Sequence, residues 1–142
     1  MLILTREAEA YIRGEGRKAY PNECCGVLMG SIDGAGAKSV KHTQAIVNAQ
    51  AGEEQYHRFL ITPEDMMDAE RAARKRGLDV VGFYHSHPDD RAAPSKFDQD
   101  HALPFYSYII TSVEKGADKD LKSWELTPDR TEFLPEEVKE GL

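Results

Sequence analysis

The stretch Leu78-Asp79-Val80-Val81-Gly82-Phe83-Tyr84-His85-Ser86-His87-Pro88 restricts the fold more than any other. Its first seven residues are apolar enough to read as a central strand, entered directly after Gly77. Residues i and i+2 of a strand point to the same face, so His85 and His87 project as a pair while Ser86 faces away. Pro88 ends the strand by removing a ladder donor. A polar loop, Asp89 to Pro94, then leads to a helix start at Ser95 that carries Asp98. Two imidazoles and a carboxylate are three good zinc ligands. A catalytic zinc site uses three protein ligands and leaves the fourth position to water.

The remaining elements follow from local patterns. Leu2 to Leu4 is a short strand or apolar lead-in, and Thr5 caps a helix to about Ala19. Pro21-Asn22 marks a turn before a buried strand, Glu23 to Ile32, with a hairpin turn at Asp33 to Gly36 and a returning strand from Ser39 to Asn48. Residues 50–55 read as a loop and Tyr56 to Ile61 as another short strand. Thr62-Pro63-Glu64-Asp65 is the clearest helix start, with Thr62 as cap and Pro63 at the first helical position. Basic residues gather toward that helix's end, where the dipole favours them, and Gly77 closes it. A helix over about Ser95 to Ala102 and a strand over Tyr106 to Ser112 follow. Glu114 to Asp120 reads as a charged loop, and Leu121 to Leu126 with Thr131 to Leu134 as a last hairpin. The expectation is one α/β domain over residues 1–142. Its mixed, curved sheet carries about three helices on both faces, and its acidic tail, 135–142, is frayed.

Composition narrows the function classes. The chain has 142 residues, enough for a real core, and a net charge of -7 from 18 basic and 25 acidic side chains. Nothing resembles the basic stripe that nucleic acid requires. No apolar run approaches membrane-spanning length, and the first residues lack the core of a signal peptide, so a cytoplasmic protein with no membrane partner is expected. Cys24 and Cys25, the only cysteines, are adjacent, which is poor geometry for a bridge and fits a reducing compartment.

Zinc hydrolysis also requires a general base near the metal-bound water, and Glu is the usual choice. Glu23 opens the first buried strand, an odd position for a solubility charge, and is the best candidate. Glu53, Glu54 and Glu64 sit in a loop or at a helix start. Ser95-x-x-Asp98 also matches a capping box, a purely structural use that does not prevent Asp98 from reaching the strand end.

Glu23 within Pro-x-Glu-x-Cys-Gly-x-Leu-x-Gly, then His85-x-His87-Pro88 with Ser95 and Asp98, resembles the JAMM (MPN+) zinc metallopeptidase family. The match fills every motif position. The resemblance implies an α/β fold akin to the cytidine deaminases and hydrolysis after the C-terminal glycines of ubiquitin-like proteins. It implies His85, His87 and Asp98 as ligands of one zinc ion, Glu23 as the base and Ser95 as hydrogen-bond donor to the tetrahedral oxyanion. Cys25 matches a family cysteine that is not a ligand. The chain is similar to the small prokaryotic members. Among them the release of cysteine from a charged sulfur-carrier protein ending in Gly-Gly is favoured over removal of modifiers from lysines. A homodimer stays open.

Three other readings compete. An inert MPN-type scaffold typically loses a ligand position, and none is lost here. A zinc deaminase would need His-x-Glu and Cys-x-x-Cys. A structural zinc site would need a fourth protein ligand. His42 and His57 lie away from the motif, His101 falls near Asp98 on its helix, and Trp124, Met66 and Met67 are most simply packing.

Overall fold

The computed structural model describes residues 1–47 and 61–141. The predicted central strand is β4 (Asp79–Pro88), buried without interruption from Val81 to His87. It lies antiparallel to β2 (Cys25–Ile32) and parallel to β5 (Ser107–Glu114). A strand flanked on both sides and covered on both faces must be apolar along its length, which is why its sequence does not alternate. The remaining strands among the described residues are β1 (Leu2–Thr5), β3 (Lys38–Ile46), β6 (Ala117–Leu126), β7 (Phe133–Glu136) and β8 (Val138–Gly141). The sheet order is β7-β6-β5-β4-β2-β3-β1-β8.

Side-chain alternation divides the core into two layers. On one face Tyr84 and Leu28 join Leu2, Leu4 and Ile109 beneath Ile12 of α1 (Arg6–Ala19). On the other, Phe83, Val27 and Met29 pack against Ala69 and Ala73 of α2 (Pro63–Lys75). Helices therefore cover both faces, as expected, and His85 and His87 share the face of Phe83, toward α2. Gly26 is required by this packing: a Cβ there would lie 2.1 Å from the ring of Tyr84, which is fully buried.

Both predicted capping boxes form. Thr62 Oγ1 accepts from Asp65 N at 3.1 Å while Asp65 Oδ2 accepts from Thr62 N at 3.0 Å. Ser95 and Asp98 repeat the arrangement at the start of α3 (Lys96–His101). Reciprocal caps satisfy two orphan donors, which is how a six-residue helix can hold a defined entry angle.

Three expectations change. The charged loop at 114–120 is mostly strand: β5 and β6 are joined by a tight turn at Lys115 and Gly116, with φ of 50° and 85°. Two consecutive positive φ values suit a hairpin turn matched to strand twist, and the charges of Asp118 to Asp120 had concealed the strand. The acidic tail is not frayed through 135–141. β7 pairs with β6 and β8 with β1, at opposite ends of the strand order, with only Glu137 between them. Leu2 N donates to Glu137 O at 2.8 Å, so the chain nearly closes the curved sheet on itself. The Glu136 carboxylate is buried and accepts from Ser123 Oγ at 2.8 Å, whereas Glu137 and Glu140 stay at the surface. Finally, the strand expected at 56–61 falls outside the described residues except for Ile61, which is not in a strand. Among the described residues no helix is long and apolar enough to cross a membrane.

Candidate metal centre

Strand alternation and a helix cap bring three donors to one point. His85 Nε2 and His87 Nε2 are 3.1 Å apart. Asp98 Oδ2 lies 3.2 Å from the first and 3.1 Å from the second. All three residues are buried. With metal–ligand distances of about 2.0–2.1 Å, tetrahedral zinc separates neighbouring ligand atoms by roughly 3.3–3.4 Å. The observed triangle is within a few tenths of an ångström of that edge. Two imidazole nitrogens so close cannot both carry protons along the line between them, so a shared cation suits the trio. The donor set, two nitrogens and one carboxylate oxygen, fits zinc.

Hydrogen bonds outside the triangle orient it. His87 Nδ1 donates to the Arg91 carbonyl at 2.8 Å, and a carbonyl can only accept, so Nδ1 carries a proton. That leaves Nε2 with its lone pair toward the centre, a common arrangement around zinc histidines. Asp98 Oδ2 also accepts from Ser95 N at 2.8 Å, so one oxygen serves the helix cap and faces both imidazoles. The loop that supplies Arg91 is pinned twice. Trp124 Nε1 donates to the Ala92 carbonyl at 3.1 Å, and Asp89 takes Tyr20 Oη–H at 2.7 Å and Lys115 N–H at 2.7 Å. Sequence reasoning assigned Trp124 to packing and gave Arg91 no part. These partners are far apart in the chain and leave no local signature.

Glu23 arrives from the segment before β2. Its carboxylate and the His85 and His87 nitrogens lie within 4.8 Å of one another. Glu23 is 5% exposed, and its Oε1 is buried without a hydrogen-bond partner. Burial, and then the negative charges of Asp98 and Asp90, push its carboxyl up to about 10. A carboxylate buried without a partner is costly, and a cation at the centre would relieve it. Burial holds the His85 imidazole below its ordinary value. Burial also opposes the charging of His87, but the hydrogen bond and charge of Asp98 outweigh it and raise that group. Burial alone would raise Asp98; the two imidazoles more than reverse this and hold it well below the usual carboxylate range.

Ser95 adjoins the cluster through its reciprocal cap on Asp98, whereas the other residues singled out from the sequence are dispersed. Ser95 is an exposed residue, and its Oγ accepts from the Asp98 amide at 3.1 Å, which leaves the hydroxyl proton free to be donated. Cys25 is buried, its thiol 3.4 Å from the Ile46 carbonyl, and burial pushes it up to about 12. Cys24 is half-buried and also unbridged. His101 stacks on Phe97 at 4.1 Å and is exposed, and His42 lies on β3. Glu64 is exposed in the first turn of α2. His57, Glu53 and Glu54 lie outside the described residues. An apolar cleft of about 280 Å³, lined by Met66, Phe83, Phe97, Leu103, Tyr108 and Phe133, shares His85 and Asp98 with the cluster. No sequence motif announced it.

Residues 5–127 match the family described as prokaryotic homologs of the JAB domain, and the chain belongs to that family. Its fold is that of the JAB/MPN proteins. The chain is 39% identical to a protein from Salinibacter ruber whose solution structure superimposes with a TM-score of 0.78, over 99% of this chain and 92% of that one. A protein from Desulfitobacterium hafniense is 32% identical with a TM-score of 0.84, over 100% and 95% of the two chains. A JAB1/MPN domain protein from Archaeoglobus fulgidus shares the fold at 20% identity and a TM-score of 0.56, over 99% and 98%. The chain is also 38% identical over 95 residues to the desampylase of Haloferax volcanii. That match covers 66% of this chain and 65% of the desampylase, just under two thirds of its length.

Proposed function

We propose that this protein is a zinc-dependent isopeptidase that cuts the bond after the C-terminal glycine of a ubiquitin-like protein. The observation that carries the proposal is the triangle of His85, His87 and Asp98 donors with the buried Glu23 carboxyl beside it, whose Oε1 has no hydrogen-bond partner. Family membership and similarity to the desampylase support the substrate class and favour a lysine isopeptide as the bond cut. Hydrolysis of a carrier–cysteine peptide bond is the same chemistry on a smaller leaving group.

His85, His87 and Asp98 hold the ion. When bound, zinc supplies Lewis acidity and lets water ionise near pH 7. Glu23 accepts the proton of the attacking water and returns it to the leaving amine. Ser95 donates a hydrogen bond from its hydroxyl to the carbonyl oxygen as that atom gains charge. The apolar cleft beside His85 and Asp98 receives the chain next to the scissile bond and keeps bulk water away. The whole chain, 1–142, works as one unit in the cytoplasm, where Cys24 and Cys25 stay reduced.

The test is direct. The zinc-loaded protein is incubated with a ubiquitin-like protein ending in Gly-Gly, joined to lysine through an isopeptide bond or to cysteine through a peptide bond, and products are weighed by mass spectrometry. Cleavage of the isopeptide, lost with a chelator and restored by zinc, is expected. Cleavage of the cysteine conjugate alone would move the assignment to carrier processing. Cleavage of neither, by protein shown to hold zinc, would leave a binding scaffold.

A further inference from the structure

We propose that Ser86 is a positioning residue that sets Glu23 over the metal centre, an inference that rests on reading Glu23 as the base. Ser86 stands between the two histidines, so strand alternation turns its side chain to the α1 face. There Ser86 Oγ accepts from Cys24 N at 2.8 Å, while Ser86 N donates to Cys24 O at 3.2 Å. In a regular antiparallel pair the returning bond would run to the Ser86 carbonyl. Here the side chain takes it, at the point where Cys24 has already left β2, whose last regular pair in this direction is Cys25 with His85.

Glu23 immediately precedes this clamped residue. Its buried Oε1 makes no hydrogen bond, so the clamp on the adjoining Cys24 backbone is the polar contact that fixes where this side chain starts. Ser86 is itself immobilised: it is fully buried, and a Cβ on Gly16 of α1 would lie 3.4 Å from the Ser86 Cβ. One dipeptide step of β4 thus turns ligands to one face and a tether for the base to the other. The spacing between base and ligands is built into a single strand. Such spacing matters because a misplacement of about 1 Å can cost roughly 100-fold in rate.

Ser86→Ala, Ser86→Cys and Ser86→Thr are compared with the wild type as zinc-loaded proteins. The readouts are hydrogen exchange at the Cys24 amide, zinc affinity by chelator competition, and kcat and KM on the isopeptide conjugate. Ser86→Ala is expected to exchange its Cys24 amide at least about tenfold faster, as one lost hydrogen bond allows. Its zinc affinity should stay within about threefold, well short of the roughly 10–100-fold loss seen when a ligand's own support is removed. Its kcat should fall about 10–100-fold with KM little changed. Ser86→Cys keeps the volume but accepts poorly, so it should match Ser86→Ala and serves if that variant does not fold. Ser86→Thr keeps the hydroxyl and should restore both protection and kcat.

Unchanged Cys24 exchange in Ser86→Ala would overturn the proposal, as would a kcat loss matched by zinc loss, or a Ser86→Thr variant as slow as Ser86→Ala. A wild-type protein that cuts neither conjugate would remove the functional reading alone. The tether would then stand or fall on the Cys24 amide with zinc affinity intact.

Discussion

Replacing Glu23 by Gln tests the central arrangement without relying on a substrate. In the metal-free protein the Glu23 carboxyl is raised from 4.5 to about 10 by burial and by the charges of Asp98 and Asp90. The folded state therefore keeps this proton across a range in which the unfolded chain has released it. Stability depends on pH through the difference in bound protons, unfolded minus folded, which is close to minus one between the two values. The contribution is fully present below pH 4.5 and declines as pH rises toward 10. The slope is about 1.4 kcal/mol per pH unit. Gln has nearly the same shape and no proton to lose, so Glu23→Gln lacks this decline. Between pH 6 and pH 8 the metal-free variant should gain about 3 kcal/mol on the metal-free wild type. Urea unfolding of chelator-treated proteins at pH 6, 7 and 8 measures it, and groups titrating alike in both proteins cancel in the difference. With zinc restored, the carboxylate faces a cation and the difference should collapse. Turnover of the zinc-loaded variant should fall about 10²- to 10⁴-fold while zinc stays bound. Parallel stability curves for the two metal-free proteins would refute the burial of an unpartnered Glu23 carboxyl, and with it the assignment of the base.

Asp98→Ala removes one corner of the triangle and half of the α3 cap. Zinc binding, followed by calorimetry, should weaken by more than the roughly 10–100-fold typical of support residues. Ser95→Ala should retain zinc and slow hydrolysis by about 10²-fold, the scale of one oxyanion donor, with a lost cap lowering stability by about 1 kcal/mol; a drop in zinc affinity equal to the drop in rate would contradict the donor role. Gly26→Ala drives a methyl group into the Tyr84 ring and should cost about 1–3 kcal/mol in denaturant unfolding, the range for overpacked cores.

Much of this site could be read directly from the chain because its parts are local. His85 and His87 share a face by the two-residue period of a strand, and Pro88 marks its end. Ser95 and Asp98 are joined by the three-residue reach of a capping box. Fold class was legible for a similar reason: the apolar run of β4 and the Thr62 cap are patterns within one element. Where charge and periodicity conflicted, charge misled. The strand at 117–126 and the closing strand at 138–141 are rich in acidic and basic residues because one side of each meets solvent.

Distances between elements needed the folded molecule. Glu23 and His85 are separated by some sixty residues, and only the antiparallel pairing of β2 with β4 makes them neighbours. The loop bearing Arg91 is held by Trp124 and Tyr20 from opposite directions along the chain, and the cleft beside the cluster is assembled from α2, α3 and three strands. Residue identity specifies what each side chain can donate, accept or bind over a few positions. How far apart two such groups stand is a property of sheet register and helix packing, which depend on contacts contributed by the whole chain.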